Sequence, residues 1–158
     1  MSTRNTQRKT GSARATRENS VGWMLKMIST SLDEQMYNEL KPHGLNLSQF
    51  GIMMTLLEND GLTQSEIGKQ IVMPGYNTTR NIDALEEAGL VARHRHETSR
   101  RSHIVRLTAR GRALGPALFA IVRDVNTRLL SGLSAQQTSS LKKLLRALPP
   151  LQARIQPK

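Results

Sequence analysis

Seven arginines lie between residues 93 and 112, and only one acidic residue, Glu97, accompanies them. A guanidinium is planar and permanently charged, and it donates hydrogen bonds in a fixed fork that fits phosphate groups. Two of these arginines, Arg100 and Arg101, are adjacent and are the strongest candidates for contacting a polyanion. The alternative is a solvated charge run, of the kind that many hairpin tips carry.

The formal net charge of +11 is concentrated in two segments of the 158-residue chain. Residues 1–19 carry five Lys or Arg and one Glu, and residues 93–112 have a net charge of +6. Such clustering favours nucleic acid as a partner, because each phosphate that is neutralised releases condensed counterions. A membrane is a poorer partner, since the second segment lacks an amphipathic apolar face. No apolar run of about eighteen residues predicts a membrane span either.

The chain has no cysteine, which excludes a disulfide framework, a thiol nucleophile and a cysteine–metal site. It also fits a cytoplasmic location. Three histidines, His94, His96 and His103, have side chains of the type that binds zinc. The nearby arginines would repel a dication, and we therefore expect neither a metal nor another cofactor.

Catalytic signals are weak. Ser102 and His103 are neighbours on a predicted strand, so their side chains point to opposite faces and form no catalytic pair. The sequence contains no P-loop and no dinucleotide fingerprint. We therefore expect no enzymatic activity.

Apolar spacing and capping signals predict a mainly α-helical chain with a minor β component. The predicted helices cover residues 21–40, 49–59, 64–71, 74–88 and 108–130, and a last helix begins after Ser134. Ser48 is predicted to cap the second helix, and Thr63 and Glu66 form a capping box before the third. Two β-branched runs, 90–93 and 104–107, predict a hairpin whose tip is the charged loop. Two short helices followed by such a hairpin predict a winged helix-turn-helix.

The order of these parts resembles the MarR family of bacterial transcription regulators. The resemblance rests on LTQSEIGKQI at 62–71, RNIDALEEAGLV at 80–91 and SRRSHIVRLTARG at 99–111. The chain departs from the family pattern at Ser99, where an aspartate is usual, and at Asn81, where an apolar residue is usual.

The resemblance implies a homodimeric repressor that binds a palindromic operator in double-stranded DNA and is released by a small organic effector. Its terminal helices would form a dimerisation region. We divide the chain into a disordered basic tail (1–19), an N-terminal dimerisation helix (20–45), a winged helix-turn-helix domain (46–110) and C-terminal dimerisation helices (111–158).

DNA contacts are predicted at helix starts, along the fourth predicted helix and on the wing. Asn77, Thr79 and Arg80 are expected to reach base edges, and Arg101 to enter a minor groove. The complete predicted set is Ser48, Thr63, Gln64, Ser65, Tyr76, Asn77, Thr79, Arg80, Arg95, Arg100 and Arg101. The family pattern further implies that Asp83 orients a wing arginine such as Arg101.

An effector pocket is expected between the dimerisation helices and the DNA-binding domain. Its predicted lining residues are Trp23, Met27, Tyr37, His43, Met53 and Met54, because methionine-rich cavities adapt to amphipathic ligands. Core packing is the alternative for these methionines. Two alternatives to the regulator also stand: a sequence-neutral architectural DNA-binding protein, and a metal or protein-interaction module that uses the winged helix without DNA.

Overall fold

The computed structural model describes residues 12–71, 75–95 and 103–149. Its elements are, in chain order, α1 (Ala13–Glu18), α2 (Val21–Leu40), α3 (Leu47–Glu58), β1 (Leu62–Thr63), α4 (Gln64–Ile71), α5 (Gly75–Glu87), β2 (Val91–Arg95), β3 (His103–Leu107), α6 (Ala109–Leu129) and α7 (Ala135–Ala147). The mainly α-helical winged-helix architecture with a small antiparallel sheet is confirmed.

The helix α2 ends where the sequence predicts. A short 3₁₀ turn, Lys41–His43, follows it and carries Pro42 at its start. Gly44 then takes the left-handed conformation (φ 69°), which only glycine adopts without strain. This crossover leads directly into α3.

The start of α3 differs from the prediction. Asn46 caps the helix, not Ser48: the Asn46 side chain accepts a hydrogen bond from the Gln49 backbone N–H, and the Gln49 side chain accepts one from the Asn46 N–H. Ser48 therefore lies in the first turn. The reciprocal pair satisfies two backbone donors at once, which a cap at Ser48 would not do here.

The helix-turn-helix pair, α4 and α5, follows the prediction closely. The Thr63–Glu66 capping box is present, with Glu66 accepting from the backbone N–H of Thr63 at 2.7 Å. On α5 the inward-facing residues Thr78, Ile82 and Leu85 are buried. The polar remainder of α5 is thereby directed outward.

The sheet contains one strand that the sequence analysis missed. Its order is β1–β3–β2, with Leu62 opposite Val105 and, on the other side, Arg93 opposite Val105. A two-residue strand is too short to show an alternating pattern. It is fixed instead by its partner and by the Asp60 carboxylate, which accepts a hydrogen bond from the Leu107 N–H.

The start of α6 is packed against the strand entry. Thr108 caps the helix, and its backbone N–H donates to the Leu90 carbonyl at 3.1 Å. A Cβ at Gly111 would lie 2.0 Å from that same carbonyl oxygen. The close approach requires glycine, and this explains the glycine in the LTARG ending.

The predicted disordered tail needs one correction within the described residues. Ala13–Glu18 forms a short helix, capped by Ser12 and carrying an Arg14–Glu18 ion pair. The Arg17 guanidinium lies 5.5 Å from the centre of the Trp23 ring. A cap, an i,i+4 pair and a cation–π contact give this segment local order that its basic composition does not indicate. Residues 1–11 lie outside the described part of the chain.

Candidate DNA-binding surface

The outer face of α5 carries the residues predicted to reach base edges. Arg80 is exposed, whereas Asn77 and Thr79 are half-buried. The backbone of Tyr76 lies in the same helix, but its side chain falls outside the described part of the structure. The face is presented outward because Thr78, Ile82 and Leu85 hold the opposite side of the helix in the core.

Two of the residues predicted to contact DNA are hydrogen-bonded to each other. The Gln64 side-chain amide donates a hydrogen bond to the Thr79 hydroxyl, which in turn donates to the Gly75 carbonyl at 3.0 Å. The Thr79 hydroxyl thus accepts one hydrogen bond and donates another. These bonds join the first turn of α4 to the first turn of α5.

The other predicted contacts at helix starts have different surroundings. The Thr63 hydroxyl donates to the Glu66 carboxylate at 2.7 Å, so it takes part in the capping box. Ser65 is exposed in the first turn of α4, and Ser48 is half-buried in the first turn of α3. An exposed serine in the first turn of a helix is a suitable phosphate ligand.

Two carboxylates of α5 hold one arginine of the wing. The guanidinium of Arg93 on β2 contacts both Asp83 and Glu86 at 2.5 Å, and the Arg93 backbone N–H donates to Glu86 at 2.8 Å. Partial burial alone would lower the pKa of Arg93, but the hydrogen bonds to Asp83 and Glu86 outweigh it and raise that pKa above its ordinary value. Asp83 therefore holds Arg93; Arg101, its predicted partner, lies outside the described residues.

The hairpin brings the two ends of the charged loop together. Arg95 on β2 lies opposite His103 on β3, and both are exposed at the end of the described strands. Arg100 and Arg101 belong to residues 96–102, which are outside the described part of the chain. Their predicted DNA contacts therefore stay predictions.

A polar contact that sequence reasoning missed lies beside α5. The Asn46 side-chain amide donates to the Asn81 side-chain oxygen at 3.2 Å, and the Asn81 amide donates to the Asn77 carbonyl at 2.8 Å. The spacing of Asn46 and Gln49 was a recognisable capping pattern. No local signal pairs Asn46 with a residue 35 positions away.

The residues predicted to line an effector pocket are dispersed. Met53 is completely buried in the core, and Met54 packs partly buried against it. Trp23, Met27 and Tyr37 are 44%, 52% and 50% exposed. His43 does line a cavity. This cavity lies between the turn that follows α2, the segment that follows α5 and the first turns of α6.

That cavity, which we call the crossover groove, has a volume of about 530 Å³. Its lining residues are Pro42, His43, Gly44, Ala88, Leu90, Arg110, Ala113 and Leu114. It combines an apolar wall with the guanidinium of Arg110 and the imidazole of His43. The size falls in the range of small-molecule sites. The sequence offered no signal for Arg110, which reads as an ordinary first-turn residue of α6.

The terminal helices expose much apolar surface. Of residues 21–40, all described, only Leu40 is buried, and none of the described α7 residues 135–147 is buried. Exposed apolar side chains include Val21, Met24, Ile28, Leu133, Leu144 and Leu148. A second apolar cavity of about 620 Å³ lies between α2, α6 and α7. Clusters of exposed apolar side chains commonly mark sites of protein–protein contact.

Within the described ranges no group of three or more histidine or acidic side chains is placed to hold a metal ion. No described helix combines the length and the apolar character needed to cross a bilayer. Helices α4 and α5, with the β2–β3 hairpin beside them, define a winged helix-turn-helix protein.

Comparison with known proteins agrees with this class. The sequence profile of the MarR family matches residues 43–102. The HTH-type transcriptional repressor Rv2887 of Mycobacterium tuberculosis is 33% identical over 128 residues, covering 81% of this chain and 92% of the relative. The chain belongs to the MarR family, a family of transcription regulators.

Solved structures resemble this one over most of its length. A MarR transcriptional regulator from Methanosarcina mazei Go1 superimposes with a TM-score of 0.78 at 25% identity, covering 86% of this chain and 98% of that one. Rv2887 in complex with DNA has a TM-score of 0.71 at 29% identity, with 82% and 98% covered. Rv2887 in complex with salicylic acid has a TM-score of 0.67 at 32% identity, with 80% and 94% covered.

Proposed function

We propose that the protein is a homodimeric transcription repressor that binds a palindromic site in double-stranded DNA. The observation that carries the proposal is the pair of salt bridges by which Arg93 on β2 binds Asp83 and Glu86 on α5. These salt bridges hold α5 and the β2–β3 hairpin, the two elements that would contact DNA, at one fixed angle. A helix of this kind enters a major groove, and the wing reaches the flanking minor groove. The DNA complex of Rv2887 supports this use of the fold.

In this proposal the predicted residues take three roles. Asn77 and Arg80 read base edges, since asparagine matches adenine and arginine matches guanine in the major groove. Gln64, Thr79 and Asp83 position α5 and the wing through their bonds to other residues of the chain. The remaining predicted contacts bind the DNA backbone or the minor groove: Ser48, Thr63, Ser65, Tyr76, Arg95, Arg100 and Arg101.

A second copy of the chain covers the apolar faces of α2 and α7. In a monomer, leucines of α7 such as Leu144, which is 68% exposed, would remain in contact with water at a cost in free energy. Burial of these side chains against a partner removes apolar surface from water and stabilises the dimer. A two-fold axis then places two copies of α5 about 34 Å apart, one helical turn of DNA.

A small organic acid binds in the crossover groove and releases the DNA. The groove touches both connections between the terminal helices and the DNA-binding domain, at His43 and at Arg110. Arg110 supplies the charge that pairs with a carboxylate, and Leu90 and Leu114 supply apolar contact for a ring. The complex of Rv2887 with salicylic acid supports an aromatic carboxylate as the ligand class.

The decisive experiment is selection from a pool of randomised DNA duplexes by the full chain. We expect one palindromic duplex to be enriched and bound with nanomolar affinity at physiological salt. A duplex with one half-site scrambled should bind far more weakly. Equal binding of all duplexes would contradict the proposal.

The high charge of residues 1–19 favours a second candidate, a sequence-neutral architectural DNA-binding protein. In that case deletion of residues 1–19 should abolish most affinity for every duplex, and the salt dependence should be steep. A repressor should instead lose only its affinity for unselected DNA. The enriched duplex, measured with and without the tail, separates the two.

A further inference from the structure

The crossover between α2 and α3 is joined to α5 by two asparagine side chains. Asn46, the first residue before α3, donates its amide hydrogen to the Asn81 oxygen at 3.2 Å. Asn81 donates its own amide hydrogen to the backbone carbonyl of Asn77, one helical turn earlier, at 2.8 Å. These two hydrogen bonds therefore connect the cap residue of α3 to the backbone of the outward face of α5.

We propose that Asn46 is a positioning residue for DNA recognition, acting through Asn81 on the backbone at Asn77. The inference rests on the proposed function, in which the outer face of α5 reads DNA. Recognition depends on small displacements, because a side chain must stay within about 0.5 Å of its productive position to keep a directional contact. The Asn46–Asn81 bond limits movement of α5 relative to α3 in the turn that carries the base-reading residues.

The choice of asparagine at position 46 follows from its two hydrogen-bonding arms. Its oxygen accepts from the Gln49 N–H at 2.8 Å, while its amide nitrogen is used for Asn81. Serine and aspartate cap helices equally well. Serine has only one oxygen on a shorter side chain, and aspartate has no donor. Capping alone does not account for an asparagine here, whereas capping combined with the bond to Asn81 does.

Asn81 itself is unusual for its position in the helix. Asparagine is a poor helix former, because its side chain competes for backbone hydrogen bonds. In α5 the Asn81 amide donates to the carbonyl four residues earlier, and the Asn81 side-chain oxygen accepts from Asn46, the cap residue of α3. An apolar residue at position 81 would pack between the helices but could not bond to Asn46.

The test compares Asn46→Ser with Gln49→Ala. Asn46→Ser keeps the cap and loses the bond to Asn81, whereas Gln49→Ala weakens the same helix start and keeps that bond. We measure affinity for the enriched duplex and for the same duplex with one base pair of a half-site changed. For Asn46→Ser we expect the ratio of the two affinities to fall roughly three- to tenfold, as for the loss of one neutral hydrogen bond.

The matched variant separates positioning from stability. Gln49→Ala should lower the unfolding midpoint and leave the affinity ratio unchanged. Adding Asn46→Ser to Asn81→Ala should cause no further loss of the ratio, since the two residues act through one bond. Equal loss of the ratio in Gln49→Ala and Asn46→Ser would overturn the proposal.

Amide hydrogen exchange tests the role of Asn46 without DNA. Asn46→Ser should speed exchange in residues 75–87 and leave residues 50–58 unchanged, because the bond restrains α5 and the cap of α3 is retained. Unchanged exchange in residues 75–87 would overturn the Asn46–Asn81 proposal. Failure to enrich any duplex would instead contradict the proposed function, and the exchange result would still decide the role of Asn46.

Discussion

The carboxylate of Asp83 on α5 contacts the guanidinium of Arg93 on β2 at 2.5 Å. Glu86, one turn further along α5, contacts the same guanidinium and also accepts from the Arg93 backbone N–H. One guanidinium on a strand is thus bound by two carboxylates on a helix, and two ion pairs resist rotation better than a single one. We expect this arrangement to set the angle between α5 and the wing.

The variant Asp83→Asn tests that expectation against simple electrostatics. Removal of a negative charge near DNA should by itself strengthen binding, because phosphate repulsion falls. If Asp83 positions Arg93, affinity for the enriched duplex should instead fall about fivefold, a drop of about 1 kcal/mol. Titration of labelled duplex at constant salt measures the sign of the change.

Asp124→Asn is the control for the loss of one carboxylate. Asp124 is paired only with the neighbouring Arg123 on α6, at 3.2 Å, among the ion pairs of the described residues. Its removal should leave duplex affinity nearly unchanged. Stronger binding by Asp83→Asn than by Asp124→Asn would contradict a positioning role. Because the pKa of Arg93 is raised, its charge should persist, and the effect should not vary with pH near neutrality.

Gly111→Ala should destabilise the fold severely. The new Cβ would lie 2.0 Å from the Leu90 carbonyl oxygen, a backbone atom that also accepts from Thr108. Relief requires α6 to move away from the strand entry, and we expect a loss of roughly 3 kcal/mol in the free energy of unfolding. Urea denaturation followed by circular dichroism measures it.

Gly51→Ala, in the middle of α3, is the matched variant. There the nearest atom to a new Cβ is the side-chain Cγ2 of Ile71 at 3.5 Å, an ordinary van der Waals contact. The higher helix propensity of alanine, about 1 kcal/mol, should make this variant at least as stable as the unaltered protein. Equal destabilisation by the two variants would show that the Leu90 contact is not the reason for Gly111.

Arg110→Gln should weaken binding of an aromatic acid in the crossover groove. Loss of a charge-assisted hydrogen bond to a carboxylate should raise the dissociation constant of salicylate, used as the probe, by about tenfold or more. Isothermal titration calorimetry gives the constant directly. Arg123→Gln, an exposed arginine on the same helix but away from the groove, should bind salicylate like the unaltered protein. No difference between the two variants would exclude the groove as the site.

Leu144→Glu should shift the protein from dimer to monomer. Leu144 is largely exposed on α7, so a charge there costs the single chain little but cannot be buried in an interface without a large desolvation penalty. Sedimentation velocity should show a smaller species with unchanged helix content. Ser139→Glu, on a different side of α7, should remain dimeric. A dimeric Leu144→Glu protein would place the interface elsewhere.

Local signals in the sequence determined most of the secondary structure. The helix spanning residues 21–40, the capping boxes at Thr63 and Ser134, and the cap at Thr108 all depend on residues within four positions of one another. Their energetics are local, and spacing alone reveals them. The hairpin was predictable for the same reason, because its two strands flank one loop.

The tertiary structure decided which predicted DNA contacts are occupied inside the chain and which side chains act together. Thr79 accepts a hydrogen bond from Gln64, Asp83 accepts one from Arg93, and Asn81 accepts one from Asn46. Each of these bonds connects different parts of the fold. Such partners are far apart along the chain, and several residues of the right type compete for each one. Only the packing of α3, α4, α5 and β2 in three dimensions selects among them, because a hydrogen bond requires a particular distance and direction.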